Sequence, residues 1–261
     1  MFTERSLSPR VGAVRDEYAP DALTFTMESD AETLPPAAAE ELGLVVDALD
    51  PTTYPEEWLP DDAPALLRRY AGGDFTIGMP GDGTVIWTRQ TEPPCVFVKH
   101  RGTGTPEAFL EFLLAEAYVQ LNRGVPEHFL PFFGERYQSL ATAAKLGPGD
   151  TYQLAAALFD AWVGLQTREV FADWDDTHPE IYDAWLDAGS RLDGRLGDLS
   201  GEVARGSTSF AEATEYACSA VKHDLDLPAP FAALDTQVYH EHGASYAVRW
   251  TEKTFDQLRD T

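Results

Sequence analysis

The stretch Thr151 to Ala172, TYQLAAALFDAWVGLQTREVFA, limits what this chain can fold into more than any other. At about 100° per residue, Leu154, Ala155, Leu158, Phe159, Ala161, Trp162, Val163, Leu165 and Val170 cover more than half the circumference of a helix. A helix that apolar needs partners on more than one side, so it is expected to be the central helix of a helical core. Asp150 is placed to cap its first free N–H groups with Gln153 reaching back, and Pro148-Gly149 to stop anything earlier. One charge falls inside the apolar arc: Glu169, between the bearings of Leu165 and Trp162 and beside Gln166.

Helices of the same kind are expected from Thr105 to the end. Thr105-Pro106 opens one that Gly124 closes. Pro126 and Pro131 introduce a second with the narrow stripe Phe129, Leu130, Phe133, Tyr137, Leu140 and Ala144. The central helix is third, and a fourth starts at Thr177 with Glu180 in capping-box position. Ser209 to Leu225 and Phe231 to Leu258 complete six helices, whose short connections favour antiparallel packing. Ahead of them the period changes. A Ser8-Pro9 cap starts a short helix with Val11, Val14 and Tyr18 on one face; Ala22 to Met27 reads as a strand; Pro35 and Pro36 open a second helix, AAAEELGLVVDALD, closed by Pro51; and Pro64 to Ala71 forms another. Phe75 to Met79 and Thr84 to Arg89 flank Pro80-Gly81-Asp82-Gly83 as a hairpin, and Cys95 to Lys99 adds a third strand. The expected fold is α+β and predominantly α: a small antiparallel β-sheet with short helices over residues 1–103 and a six-helix bundle over 104–261, as two parts or one continuous domain.

The charge balance narrows the setting. Among 261 residues, 44 Asp and Glu face 19 Lys and Arg, a net charge of −25, and only Lys99, Lys145, Lys222 and Lys253 are lysine. At low salt such a charge strains a compact fold by self-repulsion; in molar salt the screening length falls to roughly 3 Å and the repulsion fades. The composition therefore reads as that of a halophilic, acidic, cytoplasmic protein. No basic run offers a face to a nucleic-acid backbone, and no apolar stretch is long enough to span a membrane or serve as a secretory leader. Cys95 and Cys218 stand in no metal or redox spacing and read as core thiols. In composition and in its helical second half, the chain resembles the haloarchaeal protein families of unknown function, a resemblance that implies no activity.

The metalloprotease, nucleophile-elbow, paired-cysteine, calcium-loop and dinucleotide patterns are all missing, and no cofactor is expected. The informative residues are carboxylates on apolar faces. On the helix from Pro106, Phe109, Leu110, Phe112, Leu113, Ala117, Val119 and Leu121 enclose Glu116, with Gln120 nearby. A buried carboxylate costs several kcal/mol without a partner, so Glu116 and Glu169 either pair with an arginine such as Arg168 or Arg136 or converge on a polar pocket as catalytic candidates. Asp173, Asp175, Asp176 and His178 are the candidate metal ligands, set against an ordinary acidic loop. His240 and His242 look like a chelating pair, but on a continuous helix they diverge; His242 would join Tyr239, Tyr246 and Trp250 on one stripe. The leading expectation is a non-catalytic protein-interaction or scaffold protein, with a protein partner or self-association and with Tyr54, Trp58 and Trp174 as surface aromatics. The alternatives are a metal-dependent hydrolase built on the buried carboxylates and a small-molecule-binding helical bundle.

Overall fold

The computed structural model describes residues 2–30, 33–78 and 83–259. The chain forms two compact units, each gathered from separate segments: the first from Met1–Tyr54, Ala65–Glu127 and Val170–Trp185, the second from Pro55–Pro64, His128–Glu169 and Leu186–Thr261. The α+β, predominantly α class is as expected.

Among the described residues, the strands all lie in the first unit. Its main sheet has the order β1 (Phe2–Glu4), β2 (Leu23–Met27), β6 (Cys95–Val98), β4 (Val85–Thr88). Helix α1 (Pro9–Tyr18) lies between β1 and β2, and the Ser8 hydroxyl caps it by accepting from the Val11 N–H at 3.4 Å. The sheet is mixed, since β2 and β6 run parallel with Leu23 opposite Cys95. All of β6, CVFV, is buried, which is why it reads as a continuous apolar run and not an alternating one. Residues 75–78 do not form the expected hairpin partner of β4. Antiparallel β4 pairs with β6 instead, Val85 opposite Val98 and Thr88 opposite Cys95. Phe75 to Gly78 contributes only an isolated bridge between Thr76 and Thr33, while Met79, Pro80, Gly81 and Asp82 lie outside the described residues. Phe25, Met27, Phe75, Ile77, Ile86 and Phe97 form the core beneath the sheet.

Helix α2 (Pro36–Gly43) stops well short of Pro51, because Gly43 and the β-branched pair Val45-Val46 disfavour continuing it. The chain then enters the two-residue strand β3 (Ala48–Leu49), which pairs antiparallel with β5 (Thr91–Glu92). After α3 (Ala65–Ala71), helix α4 (Glu107–Arg123) packs on β4, β6 and α1 and ends at Gly124 in the left-handed region, φ 69°. Tyr118 on α4 and Thr24 on β2 share a buried hydrogen bond of 2.7 Å.

In the second unit the expected second helix is two, α5 (Phe129–Phe133) and α6 (Arg136–Ala144), parted at Gly134. The stripe from Phe129 to Ala144 is buried throughout. Central helix α7 (Pro148–Ala172) begins three residues earlier than expected, since proline is favoured in a first turn, and Gln153 reaches Glu215 on α10 at 2.6 Å rather than back to a cap. Helix α8 (Pro179–Leu196) follows, beginning in the first unit, then α9 (Leu199–Arg205), α10 (Phe210–Val221) and α11 (Gln237–Arg259). Helices α7 and α10 approach closely at Gly164, where an added Cβ would sit 3.0 Å from Lys222 Cα and 3.1 Å from its backbone nitrogen. Backbone atoms cannot move aside as a side chain can, so Gly164→Val is expected to lower stability by about 2–3 kcal/mol in a denaturant titration. A wild-type midpoint would contradict that close approach.

Candidate functional site

Glu116 is 6% exposed, as its helical phase predicts, and it does not stand without a partner. Glu169 is exposed, which corrects the expectation that both carboxylates are buried. The apolar arc of α7 is wider than its buried face: Trp162 and Gln166 are only half-buried, and Glu169 continues that rim into solvent. Arg168, offered as its partner, is spent elsewhere, with Nη1 2.6 Å from Asp235, 3.3 Å from Asp224 and 3.2 Å from the Val221 carbonyl. Glu116 belongs to the first unit and Glu169 to the second.

Asp173, Asp175 and Asp176 are exposed on the turn after α7. Asp175 accepts the Asp176 backbone N–H at 2.9 Å, and His178 turns to Glu17 on α1, Nε2 to carboxylate 3.3 Å. Among the described residues no three His, Cys, Asp or Glu side chains come together as a metal would need. Trp174 is no surface aromatic: it is 1% exposed, packed on Phe171 at 5.0 Å. Tyr54 is half-buried, stacked on Tyr70 at 5.4 Å. Both cysteines are buried free thiols, and burial pushes Cys95 up to about 11.

The helix carrying His240 and His242 is not continuous. Gly243, at φ 47° and ψ −125°, breaks it in a conformation that glycine tolerates and other residues do not. The break shifts the helical phase, so His242 is exposed while Tyr239 and Trp250 are buried. The Trp162 indole N–H donates to the His240 carbonyl at 3.1 Å.

The densest polar cluster involves a residue that the periodicity does not mark, Glu127, in the loop after α4. One carboxylate oxygen accepts from the Thr88 hydroxyl at 2.8 Å and the Gln90 amide at 2.6 Å; the other accepts the Arg89 backbone N–H at 3.1 Å. Gln90 also donates to the Thr76 carbonyl and accepts the Thr52 N–H. The Arg89 guanidinium lies over Trp87, 4.9 Å to the ring centroid, and donates to the carbonyls of Gln120, Leu121 and Val125, so it closes the C-terminal end of α4. Burial pushes the Glu127 carboxyl above the usual range, against the opposing effects of Thr88, Arg89 and Gln90. This arrangement fastens the end of β4 to the end of α4: every donor around the carboxylate is used within the fold.

A different feature of the same unit faces outward. In the run LGLVV the early end of α2 divides the apolar residues: Leu42 is buried and Val46 packs on the core, while Leu44 is 86% and Val45 50% exposed. Exposed Glu40, Asp47 and Asp50 surround the pair in sequence.

The fold and these sites define a helix-rich α+β protein, and no helix among the described residues is long and apolar enough to cross a membrane. Over residues 1–258 the chain matches DUF7089, a family of unknown function, and it belongs to that family. No curated protein and no solved structure matches it.

Proposed function

We propose that this chain works by binding another protein and not by catalysis, as an interaction or scaffold protein of a salt-rich cytoplasm. The observation that carries the reading is the exposed pair Leu44 and Val45, set at a helix end whose neighbours Leu42 and Val46 anchor it to the core. Covering Leu44 is worth about 1.5–3 kcal/mol, and covering the half-exposed Val45 about half as much. With exposed Glu40, Asp47 and Asp50 near them in sequence, they fit a protein segment that presents an aliphatic residue flanked by lysine or arginine. In molar salt, attraction between charges reaches only roughly 3 Å, so apolar contact with touching ion pairs is the mode of association such a medium leaves strong.

The setting is supported by where the acids stand. Among the described residues the carboxylates withdrawn from water are Glu111, Glu116 and the Glu127 carboxyl held by Thr88, Arg89 and Gln90, and most of the remaining acidic complement is at least partly in solvent. The metal-dependent hydrolase alternative needed two buried carboxylates, and with Glu169 in solvent it loses one of them.

The reading is tested by the native size of the protein in a molar-salt extract. Wild type should migrate as a complex larger than its own 28.8 kDa. The variant Leu44→Ser/Val45→Ser should migrate as the single chain with an unchanged melting curve. Wild type migrating alone, or the double variant staying in the complex, would overturn the reading.

A further inference from the structure

The second unit contains a cleft of about 310 Å³, formed where residues 60–64 pass the start of α7 and the face of α6. Its lining includes Tyr137 and Thr151, both buried, and the exposed residues Asp61, Asp62 and Thr142; none of the lining residues is basic. Tyr137 is only 1% exposed, wedged against Phe129 at 5.3 Å, yet it borders the cleft. Its hydroxyl makes no hydrogen bond among the described residues, and Asp62 makes neither a hydrogen bond nor an ion pair among them. The hydroxyl is not among the polar atoms shut off from solvent, so the buried ring presents its one polar atom to the cleft. Burial first, and the Asp62 charge second, push the Tyr137 phenol up, so it stays an O–H.

We propose that this cleft is a binding site for a primary ammonium group on a short organic chain. An ammonium has three N–H donors. Asp62 offers the charge-bearing acceptor, and Tyr137 and Thr151 offer hydroxyl oxygens, the latter only weakly engaged with the Leu146 carbonyl at 3.5 Å. An anion is disfavoured by the two aspartates and the lack of any basic lining residue. A quaternary ammonium would satisfy the charge but leave the hydroxyls unbonded, and a neutral polyol would leave Asp62 without a counter-charge. Ala141 and Pro148 supply apolar surface for the carbon chain, and the volume lies within the range of small-molecule sites. The proposal stands apart from the protein contact at Leu44 and Val45, which lie in the other unit.

The test uses the full chain in molar potassium chloride at constant ionic strength, with n-butylammonium as the probe and tetramethylammonium as the control. Butylammonium should raise the melting temperature saturably, and tetramethylammonium should not. Asp62→Asn, a change at the exposed rim, should weaken the butylammonium effect by about tenfold or more, as expected for losing a charge-assisted bond. Tyr137→Phe breaks no bond within the fold, so the unliganded protein should melt like wild type while binding weakens by roughly threefold to tenfold. A purely structural tyrosine would not move the ligand response. Equal responses to the two cations, a response unchanged in Asp62→Asn, or no saturable response at all would overturn the assignment.

Discussion

Replacing Glu127 by alanine should lower stability by about 3 kcal/mol, seen as a fall of roughly 6–10 °C in melting temperature. The cost does not come from losing a favourable charge, because burial makes that charge expensive. It comes from the three donors left behind: the Thr88 hydroxyl, the Gln90 amide and the Arg89 backbone N–H all aim at the missing carboxylate. Gln90 keeps a bond to the Thr76 carbonyl, so the loss falls mainly on Thr88 and the Arg89 backbone. Glu127→Gln should cost less than alanine but not nothing, since its amide nitrogen must face one of those donors. The pH dependence has a definite sign. The folded protein holds the Glu127 proton more tightly than the unfolded chain, so this group contributes most below the ordinary glutamate range, and its contribution falls as pH rises through the raised folded-state value. Glu127→Gln should flatten the stability profile over that interval, measured by denaturant titrations at successive pH values. A variant melting like wild type would mean that the cluster does not hold β4 to α4.

Lowering the salt should have a larger effect still. With 44 acidic against 19 basic residues, mostly in solvent, the fold carries a self-repulsion whose range grows from roughly 3 Å at 1 M to about 10 Å at 0.1 M. Over that interval, neighbouring surface carboxylates that were independent begin to repel, while the apolar cores of both units are unaltered. The melting temperature should therefore drop steeply with dilution of sodium or potassium chloride, and the drop should shrink at lower pH as exposed carboxylates take up protons. A melting curve indifferent to salt across this range would remove the halophilic part of the account.

What could be read from the sequence was local. The Ser8-Pro9 start of α1, the Gly124 stop of α4 and the buried stripe of α5 and α6 each depend on residues within a turn or two of one another, and the structure shows all three. Strand partners were less legible. The parallel pairing of β2 with β6 joins residues far apart in the chain, and nothing in either strand announces its direction. Glu127 was missed for the same reason: it follows a proline in a loop without periodicity, and its partners at the end of β4 and just beyond it come from nearly forty residues earlier. The one available signal was a carboxylate separated from the apolar run of α5 by His128 alone. Glu169 was misplaced because an apolar arc marks what a helix could bury, not what its neighbours cover, and Trp162 is only partly covered. Gly243, an isolated glycine in a helical pattern, was the visible cue for the break that moves His242 into solvent.

The central claim, that the chain acts through a protein contact at the end of α2, is tested most directly by site-specific photo-crosslinking in cells. Gly43 is exposed and a Cβ added there would have nothing within 4 Å, so a side chain can leave the backbone at that position, where benzoylphenylalanine is placed. Irradiation should give one discrete heavier species containing a second protein, and Leu44→Ser/Val45→Ser should abolish it. No discrete species, or one that persists in the double variant, would contradict the claim.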